Sequence, residues 1–482
     1  MRWRRWWAIV VGSSQKAASQ LLPSRSSLLR SVVVYVAGAL ACAPAAPPPV
    51  RVSAVRAPPA AASTVAVEAS PPMASPTAAP LATCAPLSLA LPEVAHEEGL
   101  DVDVPDLVDA SASLAPFYEK LAAVMRGTAK RPVRIAMYGD SNLTMDWITG
   151  HLRRKQQARF GDGGHGWVSV GKPWEWYHHM DVHHGAWMES WLHFAVSTSP
   201  PQDHLVGFAG IAGQSLHAGA RAWVGTADAG APVGTTASRF DVYYLARPHA
   251  GSFSIVADGK VVDAVDAAAA TPHAEFRALT LDDAPHRVSV VAAGNDPVRL
   301  FGITLERESG IVVDSLGCGA ISARHMAERE DQGLNADLLA HRGYDLVLEL
   351  VGTNMWEPSL LAGYWRTILA THRKATPDVG VVLMSPPDTA DKLTAWHSDP
   401  RIVKAGALKA TIAAAEQVAF WDFRGAMGGD LSIVRFRRRE MAWSDLIHLT
   451  EKGAAYMADR IDLALMRGFA AWLEVHPGAG CP

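Results

Sequence analysis

Cysteine is scarce in this chain, with four in 482 residues and no C-x-x-C pair. A disulfide framework is therefore not expected in a chain this long, and neither is a structural zinc site. Net charge is also small, −4 with a pI near 6.5, so there is no electrostatic case for a nucleic-acid partner. Charged residues are only 19% of the total, against 49% hydrophobic ones. That balance suits chains with real cores, and the length allows two or three domains. The apolar run Val32 to Ala41 is too short to span a bilayer comfortably.

That run has another use. Arg25 and Arg30 precede it, and it ends in Ala39-Leu40-Ala41, an acceptable small-x-small cleavage site. Residues 1–42 thus read as an export signal, which places the protein in the periplasm or cell envelope. Cys42 follows directly and is the residue that would carry a lipid anchor. The leucine that such signals place three residues earlier is Ala39 here, and plain cleavage after Ala41 is the other reading. Residues 43–100 are dominated by Ala, Pro, Val, Ser and Thr. Such a segment buries too little surface to offset its ordering entropy, and it is expected to be a disordered linker.

From 101 the pattern becomes globular. An amphipathic helix is predicted over about 105–128 (Leu107, Leu114, Phe117, Leu121), followed by the apolar run Ile135-Ala136-Met137-Tyr138. The run breaks at Gly139-Asp140-Ser141, and helical spacing resumes through Leu143, Trp147, Ile148 and Leu152. Between 166 and 310 helical periodicity disappears. Short alternating runs such as 240–245, 252–257, 287–291 and 298–305 take over, separated by turn residues, and predict an antiparallel sandwich. After Ile311 buried strands at 311–315, 345–351, 379–384 and 418–421 alternate with helices near 359–374, 401–416 and 451–471. That alternation predicts a mostly parallel sheet covered on both faces. The expected organisation is an α/β domain built from 101–165 and 311–482, interrupted by a β-sandwich over 166–310.

A serine on the turn between a buried strand and a helix is exposed at the carboxyl edge of the sheet, where helix N–H groups favour developing negative charge. Ser141 has that position and is the candidate nucleophile. A serine hydroxyl needs a base, and the base needs a group that fixes its tautomer. Trp443-Ser444-Asp445-Leu446-Ile447-His448 supplies both, because a three-residue spacing lets one turn bring Asp445 and His448 together. A histidine base predicts a rate that falls below about pH 6.5. An oxyanion needs fixed donors. Asn354 at the end of strand 345–351 has a side-chain amide, and the Ser141 N–H lies beside the reacting oxygen. A glycine in Leu316-Gly317-Cys318-Gly319-Ala320 can offer an unobstructed N–H.

The order GDS, glycine, GTN and DxxH, each at a strand end or before the last helix, resembles the SGNH (GDSL) hydrolase superfamily. Its four named residues match Ser141, Gly319, Asn354 and His448. The resemblance covers 131–165 and 311–482. It implies a flavodoxin-like, three-layer α/β hydrolase acting on ester bonds without a cofactor or metal. The segments GDGGHGW, VYYLARPHAGSFSIVADGK and RLFGITLERESGIVVDSLGCGA look like those of envelope peptidoglycan O-acetylesterases, in which a carbohydrate-module-like β-sandwich interrupts the hydrolase domain. One departure is plain: the family's G-x-x-G-A is one residue shorter here, Gly317-Cys318-Gly319-Ala320, so the resemblance assigns Gly319 as the donor with Gly317 as the alternative. The expectation is an exported acetylesterase whose partner is an O-acetylated polysaccharide, most readily peptidoglycan. The alternatives are an acetyltransferase with the same triad and a glycan-binding protein with a vestigial site.

Three clusters are less specific. His178, His179, His183 and His184 could ligate a metal, but the proposed chemistry requires none, and a polar loop is the preferred reading. Trp174, Trp176, Trp187 and Trp191 suit either a sugar-stacking surface or packing of the insert. Arg435 to Arg439 could meet an anionic glycan, with an exposed loop as the preferred reading.

Overall fold

The computed structural model describes residues 84–481 apart from Asp101 and Trp356; the expected export signal, Cys42 and most of the linker lie outside the described residues. Strands that are apolar on both faces must be covered on both faces. Five of them align in parallel: β1 (Val133–Gly139), β2 (Ile311–Gly317), β3 (Leu346–Glu349), β4 (Gly380–Met384) and β5 (Ala419–Trp421), in the order β2-β1-β3-β4-β5. Alternate residues feed opposite layers. Ile135, Met137, Leu346 and Leu348 pack with α1 (Ala115–Met125), α2 (Trp147–Phe160) and the terminal helix Glu451–Val475. Ala136, Tyr138 and Val347 pack with the helices Gln332–Arg342, Leu361–Ala375 and Pro400–Ala415. β1 has β2 on one side and β3 on the other, so the crevice above its carboxyl end is a topological switch point.

The helix expected over 105–128 is shorter than its pattern. Val108 instead exchanges backbone hydrogen bonds with Phe420 (3.0 and 2.9 Å), covering the free edge of β5. An edge strand's unpaired N–H and C=O groups compete for such a segment. The Asp109 carboxylate then takes the Ser113 and Leu114 N–H groups, both at 2.9 Å, and α1 starts at Ala115.

The stretch between β1 and β2 forms two antiparallel sheets. The first holds strands His273–Ala284, Ala237–Ala246, Arg299–Glu306, Ile211–Ser215 and Trp191–Ala195 in that order, with Gly166–Val168 also paired to Arg299–Glu306. The second holds Val182–Ala186, Arg221–Thr226, Arg287–Ala292, Ser252–Ala257 and Lys260–Asp266. Val242, Tyr244, Phe253, Ile255, Val288 and Leu300 fill the space between them. The other face of the first sheet contributes Tyr243, Leu245 and Phe301 to the helix layer of the α/β part. Strand Arg299–Glu306 is therefore buried throughout. At Gly302 a Cβ would lie 2.1 Å from the Trp167 indole nitrogen, so this crowded layer tolerates no side chain there.

A buried ion network ties these layers together. Glu306, at the end of an insert strand, takes Arg134 at 2.8 and 2.6 Å and also pairs with Arg342. Arg342 in turn holds Asp314 of β2 at 2.7 and 3.0 Å, and Asp314 accepts from the Tyr344 hydroxyl (2.6 Å) and the Trp167 N–H (2.8 Å).

One expectation is corrected at the amino end. The linker expected to reach residue 100 instead lies against the core over residues 84–100. Leu87, Leu89 and Val94 pack on the core, Leu100 is buried within it, and Lys452 binds Glu97 at 2.8 Å. Although four scattered cysteines predict no disulfide framework, Cys84 is disulfide-bonded to Cys481. The partners are separated by 397 positions, and nothing in their local sequence marks them as a pair.

Candidate active site

Ser141 follows β1 in a single 3-10 turn, Ser141–Leu143. Asp140 braces the turn: one carboxylate oxygen accepts the Asn142 N–H at 3.3 Å, and the other accepts the Thr353 N–H at 3.1 Å. The Ser141 turn is thus joined to the GTN loop after β3. Thr144 donates from Oγ1 to the Ser141 carbonyl at 2.8 Å. On the other side, a Cβ at Gly317 would meet the Leu143 backbone at 2.5 Å, so β2 approaches the turn closely only because this residue is glycine.

His448 lies before the terminal helix and is 16% exposed at its side chain. Its Nε2 is 2.7 Å from Ser141 Oγ, and its Nδ1 is 2.9 Å from Asp445 Oδ2. A carboxylate only accepts, so Nδ1 carries the hydrogen and Nε2 turns a lone pair to the serine hydroxyl. The other Asp445 oxygen accepts the N–H groups of Ile447 (3.0 Å) and His448 (3.1 Å), with Leu446 at φ 58° turning the chain back. Burial pushes the Asp445 carboxyl upward, but the hydrogen bond and charge of His448 and these two N–H groups outweigh it and hold it below its ordinary range.

The expected donors sit at the same sheet edge. Gly319 faces open space, where an added Cβ would meet nothing. Among the described residues neither its N–H nor that of Ser141 donates to a protein acceptor. Asn354 spends one amide hydrogen on the Ile321 carbonyl at 3.1 Å, which fixes the amide and leaves its second N–H.

Two residues in this site were not singled out from the sequence. Asn142 clamps both peptides flanking His448, donating to the Ile447 carbonyl at 3.3 Å and accepting the Leu449 N–H at 2.9 Å. Its position directly after the candidate nucleophile was the available signal. Ser197, from the β-insert, donates to the Gly319 carbonyl at 2.5 Å and so anchors the donor loop from outside the α/β part. No local pattern points to it.

The histidine cluster divides. His178 and His183 are exposed, the latter 3.0 Å from Asp228, whereas His179 is buried with its Nδ1 2.9 Å from His165 Nε2. Burial lowers the pKa of His179 to about 3 and that of His184 to about 4. Asp146, His165 and His179 have potential ligand atoms within 4.8 Å of one another. The Asp146 carboxylate, however, already faces both Arg153 nitrogens at 2.9 and 3.0 Å, so a cation there would have to share it with a guanidinium. The tryptophans divide too. Trp191 is buried, while Trp174 and Trp176 point their N–H groups at Thr144, at 3.4 and 3.3 Å. Trp187 is exposed, with Arg221 over its ring. Arg435 lies in the short helix Ser432–Arg438 and Arg439 caps it, and both are pinned rather than held in a loose loop. Arg435 binds the Gly428 and Asp430 carbonyls, and Arg439 binds that of Glu98.

No family model matches this chain, and no curated protein matches its sequence. Among solved structures, a peptidoglycan O-acetylesterase is similar over 76% of this chain and 99% of its own, at 21% identity and a TM-score of 0.64. A family two carbohydrate esterase from Clostridium thermocellum with cellohexaose bound covers 58% of this chain at 11% identity and a TM-score of 0.24, spanning 99% of its own length. A family 3 carbohydrate esterase from Talaromyces cellulolyticus covers 34% of this chain and 73% of its own at 18% identity and 0.26. Only the first likeness is strong enough to compare whole folds. The chain shares the fold of that peptidoglycan O-acetylesterase and, from its sequence motifs to its strand layers, resembles the SGNH (GDSL) hydrolases.

Proposed function

We propose that this chain is an exported serine esterase that removes acetyl groups from a polysaccharide, with O-acetylated peptidoglycan as the first candidate. The observation that carries the reading is the continuous line Asp445–His448–Ser141 at 2.9 and 2.7 Å, on the switch-point edge of the sheet. The β2-β1-β3-β4-β5 order is that of flavodoxin-like sheets and supports an SGNH-type hydrolase domain over 101–165 and 311–482, with 166–310 as an inserted sandwich. The Cys84–Cys481 disulfide supports an oxidising compartment, in keeping with export.

Ser141 Oγ attacks the acetyl carbonyl carbon while His448 Nε2 takes its proton. Asp445 holds the imidazole and offsets the charge that forms. The tetrahedral oxyanion is met by the N–H groups of Ser141 and Gly319 and the free amide hydrogen of Asn354. His448 returns its proton to the departing sugar oxygen, leaving acetyl-Ser141. Water, deprotonated by His448, then releases acetate and restores the serine. Neither a metal nor a cofactor takes part in any step.

Ser141→Ala should lower acetate release from O-acetylated peptidoglycan by about 10⁴-fold or more, with the unfolding midpoint unchanged. A folded alanine variant that still releases acetate would sink the reading. Running O-acetylated xylan beside peptidoglycan identifies the glycan. Acetylated acceptor appearing in place of acetate would make the enzyme a transferase.

A further inference from the structure

The loop after β4 presents an aromatic ring that nothing in the fold explains. It is a closed excursion whose stem is pinned: Asp399 N–H bonds the Thr389 carbonyl at 2.8 Å, and Ser398 N–H bonds Asp430 at 2.9 Å. Asp388 beneath it is fully buried and held by Arg424 at 2.9 Å. At its tip Trp396 is 91% exposed and Leu393 50%. A tryptophan that free in water loses its hydrophobic stabilisation, whereas the stem beneath is held by hydrogen bonds at both ends.

Its position gives the ring a purpose. The loop leaves the carboxyl end of β4, the edge that carries Ser141, Gly319 and Asn354. Ala390 N–H bonds the Leu446 carbonyl at 3.2 Å, which joins the loop directly to the turn holding Asp445 and His448. Trp443, 47% exposed, lies on the same turn, its N–H 2.8 Å from the His448 carbonyl. Trp174 and Trp176 are tied to Thr144, just after Ser141. Aromatic residues thus adjoin both the Ser141 turn and the His448 turn.

We propose that Trp396, with Trp443, is a sugar-stacking subsite that seats a ring of the glycan chain next to the residue whose ester is cleaved. This rests on the serine-esterase reading. The apolar face offered by one indole and one leucine is far too small for a stable protein partner, but it matches the face of a pyranose. Around it the exposed residues Asp391, Lys392, Thr394 and His397 offer polar groups that can hydrogen-bond sugar hydroxyls.

The test uses full-length protein and O-acetylated peptidoglycan sacculi. Trp396→Ala should raise KM for sacculi about tenfold, exceeding any change on a small aryl acetate by at least fivefold, and Trp396→Phe should recover much of the loss. Retention on sacculi of the Ser141→Ala protein should fall when Trp396→Ala is added. An unchanged KM and retention, or equal losses on both esters, would overturn the subsite. So would a change in oligomeric mass in light scattering without a change in retention, since the ring would then seat a second copy. Failure of the esterase reading is separate: it would show as aryl acetate hydrolysis surviving in Ser141→Ala.

Discussion

Two polar assemblies adjoin the same parallel sheet and are built on opposite terms. Where the sheet meets the insert and the helix layer, Arg134, Glu306, Asp314, Arg342 and Tyr344 form a buried network in which every charge faces its opposite. At the carboxyl edge, Ser141, His448 and Asp445 line up with donors left uncommitted around them: the N–H groups of Ser141 and Gly319 and one hydrogen of Asn354. Saturated hydrogen bonding marks a group that holds the fold. Pre-aimed and unspent donors mark a group kept for a ligand. Substitution should therefore move stability at the first assembly and rate at the second.

The sharpest break of that contrast is Arg342→Leu. It leaves the Asp314 and Glu306 carboxylates buried without their shared guanidinium, which should cost about 3–5 kcal/mol in a urea unfolding curve. A loss under about 1 kcal/mol would mean that the network contributes no more than a surface pair, and the distinction drawn here would fail on its structural side.

Acid should act on the same network. Burial raises the Glu306 carboxyl, but Arg342 and Arg134 more than offset it and bring its pKa from 4.5 down to about 2. The unfolded chain therefore binds this proton first. The stabilisation is complete above about pH 4.5 and disappears as pH falls toward 2, amounting to roughly 3 kcal/mol. Unfolding midpoints measured from pH 6 to pH 2.5 should fall steeply below pH 4.5 in the parent, and Glu306→Gln should flatten that fall. An equally steep fall in Glu306→Gln would assign the acid sensitivity elsewhere.

The two assemblies were also unequally visible in the amino-acid sequence. The strand runs, their alternation across two layers and the nucleophile turn come from local periodicity and turn chemistry, which neighbouring residues suffice to set. The Asp445–His448 pair was readable because one turn contains both. Charge pairing across the sheet has no such local mark: Glu306 and Arg342 belong to different elements and meet only after the sandwich has docked on the helix layer. Cys84 and Cys481 were hidden for the same reason, as was the packing of residues 84–100, because Ala/Pro-rich composition is silent about which of its few leucines find a core. The helix over 105–114 failed by competition, its pattern being genuine but outbid by the open edge of β5.

Asn142 tests whether the rate-controlling side of the contrast extends beyond the groups that touch substrate. Its amide holds the carbonyl before His448 and the N–H after it, so it fixes where the imidazole stands relative to Ser141 in the neighbouring turn. Truncation to Ala leaves the triad's own atoms intact but frees the His448 segment to drift, and small displacements of a base are expensive in rate. Asn142→Ala should lower kcat about 10- to 100-fold on an aryl acetate with KM altered less. Asn142→Asp keeps the acceptor for Leu449 but loses the donor to Ile447 and adds a negative charge near the imidazole. That charge favours the protonated base, so the acidic limb of its pH–rate profile should move to higher pH. A purely structural asparagine would instead lower the unfolding midpoint in both variants and leave the pH profile of the folded enzyme where it was.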